Sequence, residues 1–168
     1  RERARTAIAL EGSPLILWVG RLTTNKDPLT VLVGLERALP LLPDARVLMV
    51  FSDDTLVESV DKRVLSSALL RDRVTLVGRL DRAELPNYYA AADVFISGSH
   101  YEGSGYALIE AMSAGVVPVV TDIPSFRTIA GDTGARWMPG DADDFARVLV
   151  EARFYFEFRF CRGAGVGA

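Results

Sequence analysis

Short runs of hydrophobic residues alternate along the chain with longer segments whose hydrophobic positions repeat at helical spacing. The first run, 15–19, is uninterrupted and ends at Gly20, which is typical of a strand buried on both faces of a sheet. The next segment has Pro28 in its first turn, where a helix tolerates proline. The pattern predicts strands at 15–19, 47–51, 74–77, 94–97, 116–120 and 136–138. It predicts helices at 28–39, 55–70, 83–91, 105–114, 125–129 and 141–152.

Strands that alternate with helices form βαβ units. The expected fold is therefore a Rossmann-like, doubly wound parallel sheet of about six strands with helices on both faces. Such sheets bind ligands at the carboxyl ends of the strands, near the point where the strand order reverses. The loops expected to carry function are 20–27, 52–55, 78–82, 98–104 and 121–125. Aspartates are expected to cap two helices, Asp53 or Asp54 the one at 55–70 and Asp141 the last one.

The two ends of the chain do not fit this pattern. Residues 1–13 are polar and basic, and we interpret them as an interdomain linker or the end of a helix. The domain itself is expected to span 14–152. In 153–168, phenylalanines alternate with other residues before a Gly/Ala-rich end, which predicts an exposed strand and self-association through 153–160. Because the chain begins with Arg1, we expect that it was processed or cut from a longer chain.

Composition narrows the classes of function. The chain has 168 residues, of which 49% are hydrophobic and 24% charged, and this excludes a largely disordered protein. A net charge of −3 excludes a strongly basic nucleic-acid-binding surface. The lone Cys161 can form no internal disulfide, which favours a reducing, cytoplasmic compartment. No hydrophobic run reaches the roughly 18 residues of a transmembrane helix, and the first residues lack the pattern of a signal peptide.

The loop after the first strand carries two cations. Arg21 and Lys26 follow Gly20 at the carboxyl end of a strand, just before a predicted helix. A planar guanidinium, an ammonium group and the N–H groups of a helix start together suit a diphosphate. The alternative is that both side chains are ordinary solvated loop cations, and spacing alone favours that alternative.

The loop after the fourth strand combines glycines with two carboxylates. Gly103 and Gly105 let a ligand approach the backbone, and the helix that begins there directs its positive end to the same place. Glu102 precedes that helix, and Glu110 lies about 7.5 Å along its axis from Gly105. Carboxylates so separated can bind both ends of a nucleotide sugar whose diphosphate rests on the helix start. Without the glycine-rich turn, a surface carboxylate and an ion-paired helix residue would be the better interpretation.

The other candidates carry less weight. His100 is the only histidine, and a structural role and a ligand contact are equally expected for it. Asp141 and Asp143 form an Asp-x-Asp pair at a helix start, where capping is the stronger interpretation than metal binding. One histidine and one cysteine do not make up a zinc site, so no metal site is predicted. No serine of the candidate loops has the His–Asp neighbours of a hydrolase triad.

Taken together, these residues resemble a known family. The residues that carry the resemblance are Val19-Gly20-Arg21-Leu22, Lys26, Ala92-Asp93-Val94-Phe95, Glu102-Gly103-Ser104-Gly105 and Glu110-Ala111-Met112. In this order they are similar to the donor-binding half of family-4-type retaining glycosyltransferases, which have the two-domain GT-B architecture. The resemblance covers about residues 5–150.

The resemblance implies that the whole enzyme transfers a sugar from a nucleotide-diphosphate sugar to a glycan or glycolipid in cell-envelope polysaccharide synthesis. The anomeric configuration would be retained, and no metal or other cofactor would be needed. Arg21 and Lys26 would hold the diphosphate and offset the leaving-group charge, and Glu102 would contact the donor sugar; these are the predicted catalytic residues. The other predicted donor-binding residues are Gly20, Gly78, Arg79, His100, Gly103, Ser104, Gly105, Tyr106, Ala107 and Glu110. Glu110 would bind the ribose, Gly78 and Arg79 would border the base, and the backbone of 103–107 would face the phosphates.

The chain also departs from the family's pattern. Ser104 stands where the family often has phenylalanine, and Asp27 where it often has glycine. Residues 123–127 replace a Gly-Gly turn that is followed by a glutamate. The family's N-terminal acceptor-binding domain is missing, so we expect the chain to bind donor but to transfer little or no sugar by itself. The full-length enzyme would be cytoplasmic, or peripheral at the inner face of the membrane.

Two other functions are compatible with these residues. One is a non-catalytic module that binds a nucleotide or sugar and acts with a separate partner chain, with the aromatic tail as its docking element. The other is a sugar-nucleotide epimerase of related architecture.

Overall fold

Six parallel strands form a single sheet in the computed structural model, which describes residues 1–9, 11–52 and 55–153. The strands are β1 (Leu15–Arg21), β2 (Arg46–Ser52), β3 (Val74–Gly78), β4 (Val94–Ser97), β5 (Val117–Thr121) and β6 (Ala135–Trp137). Their order across the sheet is β3-β2-β1-β4-β5-β6. All five neighbouring pairs are parallel, as the alternation of strands and helices predicts.

Helices connect the strands and cover both faces of the sheet. They are α1 (Glu2–Ile8), α2 (Pro28–Ala38), α3 (Val57–Ser66), α4 (Ala68–Arg73), α5 (Leu85–Ala91), α6 (Tyr106–Ser113), α7 (Pro124–Ala130) and α8 (Ala142–Glu151). Single 3₁₀ turns lie at Thr24–Lys26 and Leu39–Leu41. One hydrophobic core lies between the sheet and α2, α3, α4 and α8, and the other lies against α5, α6 and α7.

The first strand shows why an unbroken hydrophobic run predicts a strand that is buried on both faces. Ile16 and Trp18 belong to one core, whereas Leu15 and Leu17 belong to the other, and all four are at most 1% exposed. Successive side chains of a strand point to opposite faces, so a strand covered by helices on both sides has no polar position. The predicted doubly wound fold is confirmed.

The strand order reverses beside β1. The chain first runs outward through β2 and β3, then returns to the other side of β1 as β4, which pairs with it from Ile16 opposite Val94 to Trp18 opposite Ile96. The loops that follow β1 and β4 therefore diverge around one crevice at the carboxyl edge of the sheet, where ligands bind in such folds.

Most of the predicted helices are present, but the one expected at 55–70 is wrong as a single helix. It is two helices, α3 and α4, because Ser67 between them has an extended backbone and its hydroxyl accepts a hydrogen bond from the N–H of Leu70. Asp53 and Asp54, the expected caps of this helix, lie outside the described residues. The cap predicted at Asp141 is confirmed, because its carboxylate accepts bonds from the N–H groups of Asp143 and Asp144.

The N-terminal segment is a helix that an ion-pair cluster attaches to the sheet. Arg5 and Arg1 of this segment both bind Asp93, the residue before β4, at 2.5 and 3.3 Å. Asp93 is 3% exposed and also accepts a 2.8 Å bond from the N–H of Leu15. This segment therefore contains a helix, and whether it is the end of a longer helix or an interdomain linker stays a prediction. The strand and self-association predicted at 153–160 involve residues 154–168, which lie outside the described residues.

Candidate functional site

A cleft of about 660 Å³ opens at the carboxyl edge of the sheet, where the strand order reverses. It brings together ten of the predicted site residues: Gly20, Arg21, Lys26, Arg79, Glu102, Gly103, Ser104, Gly105, Tyr106 and Ala107. They come from the loops after β1, β3 and β4 and from the first turn of α6. Residues as far apart in sequence as Gly20 and Ala107 thus share one surface.

Three predicted site residues do not line the cleft. Gly78 ends β3 with a positive φ of 75°, directly before the lining residue Arg79. His100 instead contacts Asp27, through a 2.9 Å bond between its Nε2 and the aspartate Oδ2. Glu110 is exposed on α6, beyond the part of that helix that lines the cleft.

The start of α6 forms one wall of the cleft. Gly105 occupies the N-cap position with φ 61°, and no side chain caps the helix there. The left-handed backbone favours glycine here, and a Cβ at this position would lie 2.5 Å from Cδ1 of Ile129, whose side chain would have to shift. The first-turn N–H groups have no partner within the helix, and the positive end of the helix dipole lies beside them. This wall can therefore accept an anion.

A cation and a carboxylate meet on the floor of the cleft. Lys26 Nζ and Glu102 Oε1 form an ion pair in which both side chains are largely buried, 23% and 15% exposed. Ser99 Oγ lies 2.8 Å from the same carboxylate oxygen. The cation expected to bind phosphate and the carboxylate expected to bind sugar are therefore partners of each other in this structure.

The loops after β1 and β4 are tied together by hydrogen bonds. The Asn25 amide donates to the carbonyl of Tyr101 at 2.9 Å, and its oxygen accepts from the Tyr101 N–H at 3.1 Å. The N–H of His100 donates to the carbonyl of Asn25 at 2.9 Å. Sequence reasoning missed Asn25, since nothing local marks its partner 76 residues away. These bonds fix the spacing between the loops that carry Lys26 and Glu102.

Asp27 explains one departure from the family's pattern. Its φ of 43° is left-handed, a conformation that glycine adopts without strain. Aspartate is among the few other residues found there, and here its carboxylate accepts from the N–H of Thr30 at the start of α2 and contacts His100. The aspartate is thus held by bonds that a glycine would not make.

The apolar walls of the cleft consist of residues that the sequence did not predict as site residues, although two of them lie in motifs that carry the resemblance. They are Val19, Val50, Phe51, Leu80, Phe95, Leu108 and Phe126. Ser52 and Ser97 also line the cleft, and each is the last residue of a strand. Because ligands bind at the carboxyl ends of such strands, the sequence could have indicated both serines as site residues. Apolar walls around a few polar groups are typical of small-molecule sites.

The segment 123–127 closes one side of the cleft. Phe126 is 2% exposed and lines the cleft. Arg127 turns back and binds Asp122 through two bonds, of 2.6 and 2.8 Å. The Arg127 guanidinium lowers the pKa of the Asp122 carboxyl below its usual range. Arg127 is therefore engaged with its neighbour on the far side of the helix start.

Glu110 has a buried tyrosine as its neighbour. Tyr89 of α5 is 3% exposed, and its hydroxyl makes no hydrogen bond of ordinary geometry. Burial, and to a smaller extent the nearby Glu110 carboxylate, raise the pKa of Tyr89. The hydroxyl thus lies close enough to the carboxylate of Glu110 for the negative charge to disfavour its ionisation.

Among the described residues, no group of three or more His, Cys, Asp or Glu side chains could hold a metal ion. No helix in the described ranges is both long and apolar enough to cross a membrane.

Comparison with known proteins gives this cleft a context. Residues 1–152 match the family described as glycosyl transferases group 1. The chain is 33% identical over 119 residues to a GDP-mannose:cellobiosyl-diphosphopolyprenol alpha-mannosyltransferase from Xanthomonas oryzae, covering 71% of this chain and 31% of that protein. It therefore spans about a third of that relative's length.

Solved structures share the fold. Sucrose-phosphate synthase from Thermosynechococcus elongatus superposes with a TM-score of 0.70 at 29% identity, over 90% of this chain and 39% of that one. The C-terminal domain of a glycosyl transferase group 1 family protein, LpcC, from Francisella tularensis superposes with a TM-score of 0.75 at 19% identity, over 92% of this chain and 85% of that domain. The fold, the cleft at its switch point and the family match over residues 1–152 agree, and the chain belongs to the glycosyl transferases group 1 family.

Proposed function

We propose that this chain is the nucleotide-sugar donor-binding domain of a retaining glycosyltransferase. The observation that carries the proposal is the convergence, in one cleft, of Arg21, Lys26 and Glu102 with the uncapped start of α6. Cations, helix N–H groups and a carboxylate that share one cleft match a ligand that is anionic in its middle and hydroxylated at its end.

The diphosphate would lie between the start of α6 and the two cations. Arg21 and Lys26 would pair with its oxygens and offset the charge that develops on the leaving group, as a metal ion does in other enzymes. Among the described residues, three cations line the cleft, with Arg79 as the third, against one carboxylate. The charge of these lining residues favours an anion, even though the chain as a whole has a net charge of −3.

The two glutamates would bind hydroxyl groups. Glu102, on the cleft floor, would accept bonds from the donor sugar close to the reacting carbon. Glu110 would accept from the ribose, which requires the nucleoside to extend past the lining residues along α6 toward an exposed side chain. The base would lie near Gly78 and Arg79 at the end of β3.

The whole enzyme would transfer a sugar to a glycan or glycolipid acceptor on a second domain and would need no metal or other cofactor. The name of the Xanthomonas relative, a mannosyltransferase acting on a diphosphopolyprenol, supports an acceptor of the cell envelope and a cytoplasmic or peripheral location. Transfer requires an acceptor held at attack distance from the donor. By itself, this chain would therefore bind donor and turn over little or none of it.

Isothermal titration of the 168-residue chain with UDP, GDP and ADP, and then with their hexose conjugates, tests the proposal. We expect one diphosphate to bind, with an affinity that EDTA does not change. Folded protein that binds none of the ligands would contradict the donor site. Affinity that disappears with EDTA would instead contradict its independence of metal.

A further inference from the structure

A buried serine holds the carboxylate on the cleft floor. Ser99 is 0% exposed, in the loop just after β4. Its Oγ lies 2.8 Å from Glu102 Oε1, which also receives Lys26. No residue of the described chain is seen to bond the other carboxylate oxygen, Oε2.

The direction of the hydrogen bonds can be assigned from the groups themselves. An ionised carboxylate can only accept, so the one hydrogen of the Ser99 hydroxyl is donated to Glu102. Ser97 Oγ lies 3.1 Å from Ser99 Oγ, and because the Ser99 hydrogen is already used, Ser97 must be the donor in that contact. The result is a one-way chain from Ser97 through Ser99 to the carboxylate.

The backbone of Ser99 is fixed as well. Its carbonyl accepts a 2.5 Å bond from Thr121 Oγ1, and Thr121, the last residue of β5, is itself 0% exposed. The serine is thus held by the ends of two neighbouring strands, β4 and β5. A side chain with this support can orient a ligand-binding group.

A bound ligand would affect the two donors to Oε1 of Glu102, Lys26 and Ser99, differently. Under the proposed function, a bound diphosphate draws Lys26 toward its own oxygens and so weakens the ion pair with Glu102. Ser99 is buried and carries no charge, and the diphosphate cannot draw it away. Ser99 then remains the group that fixes the carboxylate when the donor is bound.

We propose that Ser99 is a positioning residue that holds Oε1 of Glu102 so that Oε2 can accept a hydrogen bond from a hydroxyl of the donor sugar. This rests on the proposed function, because it assumes that a nucleotide sugar occupies the cleft. It adds a residue that makes no contact with the ligand and acts through the glutamate.

Titration calorimetry of the Ser99→Ala chain with a nucleoside diphosphate and with its sugar conjugate (GDP and GDP-mannose, UDP and UDP-glucose) tests this. The readout is the ratio of the two dissociation constants, sugar conjugate over diphosphate. We expect the ratio to rise by about five- to tenfold, with the diphosphate constant within about twofold of the unmodified chain. Ser66→Ala, which removes an exposed helix hydroxyl that bonds the carbonyl of Arg63, is the matched control and should leave the ratio unchanged.

Two further variants keep the outcome decisive. Ser97→Ala frees the orientation of the Ser99 hydroxyl without removing it and should raise the ratio by a smaller factor, even if Ser99→Ala folds poorly. In a Glu102→Ala background, Ser99→Ala should have no further effect on the ratio.

An unchanged ratio in folded Ser99→Ala, or an equal weakening of both ligands with a lower Tm, would overturn the inference and leave the donor site standing. If the unmodified chain binds neither ligand, the proposed function fails and the inference fails with it.

Discussion

Asp93 and Glu102 lie at opposite ends of β4 and both pair with cations, but the two oxygens of each carboxylate are bonded differently. Asp93, before the strand, uses both oxygens: Oδ1 accepts from Arg1, and Oδ2 accepts from Arg5 and from the N–H of Leu15. Among the described residues, Glu102, after the strand, is bonded at Oε1 only, by Lys26 and Ser99.

The difference separates a structural charge from a functional one. Asp93 is 3% exposed, and its partner Arg5 also donates to the carbonyls of Ala91 and Gly12, so the groups of this cluster bond other parts of the fold. Glu102 faces the cleft with one oxygen not seen to be bonded and a cation that a stronger anion can take from it. A buried carboxylate whose two oxygens are bonded within the fold is expected of a structural charge, whereas an oxygen without such a bond at a cleft is available to a ligand.

The largest expected effect is on the Asp93 cluster. Asp93→Ala leaves the guanidinium of Arg5 without its partner in a partly buried site, and we expect a loss of about 3–5 kcal/mol of unfolding free energy. Urea denaturation measures it. Asp143→Ala is the control, because its ion pair with Arg37 is exposed and should cost less than about 1 kcal/mol. Equal effects of the two variants would mean that the Asp93 cluster does not hold α1 in place.

The next largest effect concerns the cations of the cleft. We expect Arg21→Ala combined with Lys26→Ala to weaken nucleoside diphosphate binding by roughly 2–4 kcal/mol, because charge-assisted bonds to phosphate are lost. Titration calorimetry measures it, and Lys62→Ala with Arg71→Ala removes the same charge from an exposed surface as the control. An unchanged affinity would remove the phosphate assignment.

Glu102 should behave unlike Asp93. Since its ion pair borders the open cleft, where water can reach the released Lys26, we expect Glu102→Ala to lower the unfolding free energy by less than Asp93→Ala does. The same variant releases Lys26, so the affinity for a nucleoside diphosphate should stay constant or increase. Urea denaturation gives the unfolding free energy, and titration calorimetry of the same preparation gives the affinity for the diphosphate. A destabilisation as large as that of Asp93→Ala would show that Glu102 is a structural charge too.

The smallest expected effect is at Tyr89. Its buried hydroxyl makes no ordinary hydrogen bond, so Tyr89→Phe should leave stability within about 0.5 kcal/mol or raise it slightly. Thermal unfolding measures the change. A loss above about 1 kcal/mol would indicate that the hydroxyl does bond Glu110.

The sheet could be predicted because its signal is local. Unbroken hydrophobic runs at β1 and β2 need no knowledge of their neighbours, and the glycine-rich turn before α6 marks a helix start by itself. The break at Ser67 was missed because the hydrophobic spacing continues across it, although a serine N-cap was there to be read.

The contacts that define the site could not be predicted in the same way. Lys26 and Glu102 are 76 positions apart, as are Asn25 and Tyr101, so their pairing follows from the strand order and not from either loop. In the sequence, Asp93 belongs only to a motif that carries the family resemblance. Its role in anchoring α1 follows from the fold, which places Arg5, 88 positions away, beside it.

We propose that the cleft between the loops after β1 and β4 binds the diphosphate of a donor, and a crystal structure of the chain with the nucleoside diphosphate selected by titration tests this. We expect the diphosphate at the start of α6, with Lys26 moved from Glu102 onto a phosphate oxygen and Ser99 still bonded to the carboxylate. A diphosphate bound elsewhere, with the pair of Lys26 and Glu102 intact, would contradict it.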